Sequence, residues 1–112
     1  MIANTENVLG KLFEHARDTL PDADLEFLTH LDEHTEEEVR NIGHTLAALA
    51  MAHHDKATAP CTDDLIGTLW GLSNRANAVV ELMSITGEAE FLLNDRKAKR
   101  QAEADAAKVG VA

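Results

Sequence analysis

The sequence of 112 residues contains no tyrosine, one tryptophan, one cysteine and two prolines. With aromatic residues at only 4%, a core has to be assembled mostly from Leu, Ala, Val and Ile. The single cysteine, Cys61, has no partner for an internal disulfide and no CxxC neighbour, which points to a reducing, intracellular setting. Scarce proline with abundant Ala, Leu and Glu favours helix over strand by propensity. HExxH, GxSxG and glycine-rich phosphate-loop patterns are all missing, so no catalytic residue is assigned and no enzyme is expected. The longest apolar run, Leu46 to Ala52, is far shorter than the ~20 residues a helix needs to cross a bilayer. The N-terminal MIANTENVLG has no basic segment followed by an apolar one, so no signal peptide is expected and the expected location is cytoplasmic.

Positive charge is also scarce. Ten Lys/Arg stand against 20 Asp/Glu, a formal net charge of −10. Repulsion on that scale opposes binding to nucleic acid or to an anionic membrane surface through bulk charge. The charge is unevenly placed. Residues 1–90 hold 17 acids against 5 bases, and residues 91–112 hold 3 acids against 5 bases.

What remains is a helical protein of one domain's length. The expected fold is all-α, a small bundle of four to five helices with antiparallel neighbours. Residues 1–93 would form the bundle and residues 94–112 a charged, Ala-rich tail, helical or frayed. The stretch Thr62 to Gly87 is the expected centre, a long helix over about 62–86. Leu65, Leu69, Leu72, Ala76, Val79 and Met83 recur at helical spacing, and Ile66, Trp70, Leu82 and Ile85 widen the apolar surface. Only Arg75 and Glu81 are charged between Leu65 and Gly87, so such a helix should be covered on more than one side. Thr62 is the expected cap, with Asp63 and Asp64 at the positive end of the helix dipole, and Gly87 the expected stop.

Ahead of it, Asn4 or Thr5 caps a first helix to about Thr19, with Val8, Leu9, Leu12, Phe13 and Ala16 on one face. Leu20-Pro21 ends it, because the residue before proline is driven out of the helical region. Asp22 or Asp24 caps a short second helix with Leu25, Phe27, Leu28 and Leu31 on its apolar side. Thr35 to Glu38 matches a capping box, so a third helix is expected from Glu36 to about His53. The apolar series Leu28, Leu31, Thr35, Val39, Ile42, Leu46, Leu49 also allows one long bent helix over both. His54 to Cys61 is the expected loop, since Pro60 forbids a helix through it. Gly43, Ala47 and Ala50 on the third helix, with Gly67, Gly71 and Ala78 on the fourth, suggest close antiparallel approach of the two.

The most distinctive stretch is acidic. Asp18, Asp22, Asp24, Glu26, Asp32, Glu33, Glu36, Glu37 and Glu38 occur without one Lys or Arg among them. The plain explanation is a solvated face with acids at helix starts. The functional one is a docking surface for a basic protein partner, since a single-sign field steers association and selects complementary surfaces. On that basis the chain is expected to be a non-catalytic acidic interaction module, a regulator or inhibitor of a nucleic-acid-binding partner. In size and charge it is similar to small acidic helical proteins of phages and mobile elements, including some anti-CRISPR inhibitors, that imitate duplex phosphate; no motif is shared. That likeness implies a DNA-mimic inhibitor as an alternative.

A metal-binding helical protein is a further alternative. His30, Glu33, His34 and Glu37 or Glu38 would share one side of a continuous helix, and histidines four apart can bind zinc. The paired Glu-x-x-His of di-iron bundles is missing, so no metal ligand or cofactor is assigned. The cluster Arg96-Lys97-Ala98-Lys99-Arg100 is expected to pair with acids of the protein or of a second subunit rather than with nucleic acid. A homodimer is expected because the central helix is apolar on more sides than short neighbours cover, and Trp70 is an apolar anchor if exposed.

Overall fold

The computed structural model describes residues 4–54 and 61–111. The described chain is helical, in the order α1 (Thr5–Ala16), α2 (Asp22–Thr29), α3 (Asp32–His54) and α4 (Thr62–Val111), and no strand occurs among the described residues. The expected loop falls mostly on residues 55–60, outside the described residues.

Local chemistry explains most helix ends. The Asn4 side-chain oxygen accepts from the Asn7 amide at 2.9 Å and caps α1. Past Ala16 the chain turns, with the Thr19 and Leu20 amides both donating to the Ala16 carbonyl, and Pro21 prevents continuation. Pro21 itself holds the cap position of α2, its carbonyl accepting from Asp24 and Leu25. The expected Asp cap is therefore corrected: Asp22 is the first helical residue and its carboxylate is used elsewhere. Thr35 does not open a helix either. α3 begins at Asp32, and the Thr35 hydroxyl donates to the Asp32 carbonyl at 2.9 Å inside it. The break between α2 and α3 lies at His30-Leu31, where His30 takes φ −88° and ψ 8°. Asp32 and Glu33 then supply the first-turn acids that favour the helix dipole. At the start of α4, the Cys61 carbonyl accepts from the Leu65 amide at 3.0 Å, so Cys61 and not Thr62 stands at the cap.

The largest departure from expectation is α4. It runs for 50 residues through Gly87, a length of about 75 Å at 1.5 Å per residue. No described residue has positive φ, so Gly87 stays helical. An interior glycine costs only about 1 kcal/mol. Continuing past it carries Ala89, Leu92 and Leu93 into the core beside Phe13, Leu25 and Ile85, and each buried leucine contributes about 1.5–3 kcal/mol. Packing outweighs the glycine.

The molecule is correspondingly extended, 82 × 27 × 15 Å with a radius of gyration of 21.4 Å, against about 13 Å for a compact domain of similar size. The expected compact bundle of four to five helices is thus corrected to a rod built on one helix. α1, α2 and α3 each pack on α4. Gly10 lies by Glu81 and Arg17 by Glu88, so α1 runs parallel to α4. Asp22 meets Arg96, Leu28 meets Thr86 and Glu38 meets Arg75, so α2 and α3 run antiparallel to it. The buried line along α4 passes through Leu72, Val79, Thr86, Ala89 and Leu93, at steps of seven, seven, three and four residues, which keep to one side of a helix.

Two expectations about helix faces also change. Leu69 and Met83, read as core, are exposed. A Cβ added at Gly43, Gly67 or Gly71 would meet nothing within 4 Å, so close helix approach does not explain these glycines. Their backbone is helical and their surroundings open, so Gly67→Ala and Gly71→Ala are each expected to raise stability by about 0.5–1 kcal/mol. Thermal melts of the two variants check this, and an unchanged or lowered midpoint would mean a neighbour occupies that space.

Candidate partner-docking surface

The nine acids divide by the direction they face. Asp22 and Glu38 turn toward α4. Arg96 Nη1 donates to Asp22 Oδ1 at 3.0 Å and Arg100 Nη1 to Oδ2 at 2.9 Å. These two guanidinium hydrogen bonds, Arg96 first, hold the Asp22 carboxyl below its usual range. Arg75 donates from Nε and Nη2 to Glu38 Oε2 at 3.2 and 3.0 Å. Both acids fasten helices to α4 and are not free for a partner.

The others face outward. Glu36 pairs with Arg40 at 2.6 Å one turn along α3, a solvent-exposed contact of small energetic weight. Asp18 lies in the turn after α1, 3.9 Å from Arg17 Nε. Asp24, Glu26, Asp32, Glu33 and Glu37 are exposed and pair with no base among the described residues. Asp32 and Glu36, and Glu33 and Glu37, are four apart and share a face of α3. The sequence stretch therefore becomes two short acidic ridges, on α2 and on the first turns of α3, rather than one continuous patch.

The basic cluster pairs largely with the protein's own acids. Arg96 and Arg100 hold Asp22, and Lys99 holds Asp95 at 2.9 Å. Arg96 also donates to the Leu20 carbonyl at 2.7 Å and the Arg17 carbonyl at 3.4 Å. Arg17 in turn reaches Glu88 at 3.1 Å. A cation at the C-terminal end of α1 suits that end of the helix dipole.

An open groove of about 440 Å³ lies between α1 and α4, bordered by Gly10, Glu14, Arg17, Glu81, Ser84 and Glu88. Glu81 fills part of it: a Cβ at Gly10 would come within 2.8 Å of Glu81 Oε1. The absence of a side chain at Gly10 is what lets that carboxylate lie across α1.

For metal chemistry the arrangement is unfavourable. His30 sits in the break between α2 and α3, so His30 and His34 do not project from one continuous helix. No group of three or more His, Cys, Asp or Glu suited to hold a metal ion occurs among the described residues. Cys61 is exposed and its thiol donates to Asp64 Oδ2 at 2.9 Å. No described helix is long and apolar enough to cross a membrane.

The apolar surface of α4 that the sequence shows to be wider than one stripe is left partly uncovered. Trp70 is 67% exposed, and Ile66, Leu69, Val80, Met83 and Phe91 are exposed with it. The signal was available as a second apolar series at three- and four-residue steps beside the buried one. Periodicity alone did not say which of the two would be covered. Comparison with models of known protein families, with curated proteins and with solved structures gave no match to this chain.

Proposed function

We propose that the chain is a non-catalytic interaction module, a regulator or inhibitor that docks a basic, nucleic-acid-binding protein through the acids on α2 and α3. The observation that carries this reading is that Asp24, Glu26, Asp32, Glu33 and Glu37 are exposed and unpaired among the described residues. Asp22 and Glu38 are meanwhile spent on holding the fold. Carboxylates that nothing in the chain neutralises leave a field available to a cationic surface, which raises association rates and rejects acidic competitors. The narrower form, a phage or mobile-element inhibitor that imitates duplex phosphate, draws support from the elongated shape as well as the acids.

The test is a capture experiment at physiological salt with the wild type beside a variant carrying Asp32→Lys, Glu33→Lys and Glu37→Lys. Glu38 and Asp22 are left in place so that the ties to α4 persist, and circular dichroism checks helicity first. A basic partner held by the wild type should be lost from the variant, with affinity reduced at least about tenfold and falling further with added salt. Equal retention by both proteins would remove the acidic ridges as the docking surface. Competition between that partner's nucleic acid and this chain would separate the narrower form from the general one.

A further inference from the structure

The face of α4 turned away from the core is long, apolar and free of charge. Ile66, Trp70, Ser73, Asn77, Val80, Ser84, Gly87 and Phe91 follow one another at steps of four and three residues, the spacing of a two-helix seam, and all eight are exposed. Leu69, Ala76 and Met83 flank them and are exposed too. None of these eleven positions is Asp, Glu, Lys or Arg, in a protein of net charge −10. The large apolar residues among them are 44% to 67% exposed. At about 150–250 Å² for a fully exposed large side chain they offer on the order of 600 Å² of apolar surface. That lies at the upper end of the roughly 300–600 Å² of the largest apolar patch on a typical monomer, and approaches the ~800 Å² per partner of a standard interface.

We infer that this face is covered by the same face of a second copy of the chain, the two α4 helices antiparallel. Two observations favour a second copy over another occupant. The first is electrostatic: two copies of so acidic a protein repel wherever their charged surfaces meet, and this strip carries no charged side chain among its own positions, the carboxylates of Glu81 and Glu88 lying at its edge toward α1. The second is shape. In a two-fold interface, if one residue meets another, the reverse contact occurs as well. Centring the pairing between Asn77 and Val80 sets Ile66 opposite Phe91, Trp70 opposite Gly87, Ser73 opposite Ser84 and Asn77 opposite Val80. The largest side chain of the strip then faces the residue with none, and a Cβ at Gly87 would find open space above it. The resulting dimer leaves the acidic ridges of α2 and α3 outside the interface and does not depend on their proposed role.

Sedimentation velocity on the full chain over a micromolar concentration series tests this. The mass should be twice 12.2 kDa, and emission of the only tryptophan should shift to the red on dilution as Trp70 becomes exposed. Val80→Lys is expected to weaken dimerisation at least about a hundredfold, because a charge is buried at the centre of the seam. Its far-ultraviolet circular dichroism should be unchanged, since residue 80 faces away from the core. The register has its own test in a Cys61→Ser background. An Ile66→Cys chain mixed with a Phe91→Cys chain should form an intermolecular disulfide faster than either chain forms with itself. A monomer at every concentration, or a dimer untouched by Val80→Lys, would overturn the inference. Faster cross-linking of Ile66→Cys chains to each other would overturn the antiparallel register.

Discussion

Leu25→Ala is expected to destabilise the protein by about 3 kcal/mol, within the range of fully buried leucine truncations. Leu25 is 0% exposed, the only large side chain so completely covered among the described residues, and it is the one buried residue of α2. It packs in the cluster with Phe13, Ile85, Ala89, Leu92 and Leu93. That cluster is where α1, α2 and α4 meet, so a cavity there loosens three elements together. Domains of this size carry about 5–15 kcal/mol in total, and a core of so few buried side chains sits toward the low end. In urea, where the slope for a small protein is about 1–3 kcal/mol per molar, the midpoint should fall by one to three molar. Phe27→Ala on the same helix serves as the control. Its ring is larger but 71% exposed, so the expected change is about 0.5 kcal/mol or less. Both are compared at one protein concentration, because self-association shifts apparent stability. Equal losses from the two variants would mean that α2 presents a different face to α4.

Arg96→Ala should be the most damaging substitution of a charged residue, at about 2 kcal/mol. Its guanidinium donates to the Leu20 carbonyl, to the Asp22 carboxylate and, at a longer distance, to the Arg17 carbonyl. One side chain thereby ties the end of α1, the turn at Pro21 and the first residue of α2 to α4. Hydrogen bonds to charged groups are worth about 1.5–3 kcal/mol where the partners are withdrawn from water. Arg96 keeps only about a quarter of its side chain exposed, and its loss strands carbonyls at the end of a helix. Ordinary surface pairs contribute ~0–1 kcal/mol, so Lys97→Ala should be nearly silent and Arg100→Ala intermediate. Arg96→Lys should recover only part, since an ammonium cannot span three acceptors with a planar fork. The same contacts set a pH dependence. The folded Asp22 carboxyl titrates below its unfolded value, so its contribution is present above the ordinary carboxylate range. It is lost as pH falls through the depressed folded value. Acid denaturation of Arg96→Ala should therefore show a smaller loss in that interval than the wild type. Hydrogen exchange of the α2 amides reports the local effect, and protection unchanged from wild type would show that Arg96 does not anchor this corner.

The sequence by itself determined the helical class and the boundaries that depend on nearest neighbours. Low proline, abundant Ala, Leu and Glu, and three- and four-residue apolar spacing leave little room for strands. The Asn4 cap is written in one residue, because a cap hydrogen bond acts within a single turn, and Pro21 marks the break between the first two helices, although α1 already ends at Ala16 rather than at the expected Thr19. The acidic composition of residues 18–38 was equally plain. Which of those acids would be spent on Arg75, Arg96 and Arg100 was not, since the partners lie 37 to 78 residues away in the chain.

The tertiary structure decided where local preferences were weak. The capping pattern at Thr35 and the glycine at position 87 each express a preference of about 1 kcal/mol. Leu92 and Leu93, with α1 and α2 to cover them, outweigh the second and carry α4 far beyond it. The choice between the two apolar stripes of α4 was likewise made by packing. Both repeat at helical spacing and both are poor in charge, so periodicity cannot rank them. The neighbours can: Phe13, Leu25 and Leu28 close over Ile85, Ala89, Leu92 and Leu93, and the stripe from Ile66 to Phe91 is left facing outward. A hydrophobic pattern specifies that a surface seeks cover; which cover it finds depends on chain segments distant in sequence.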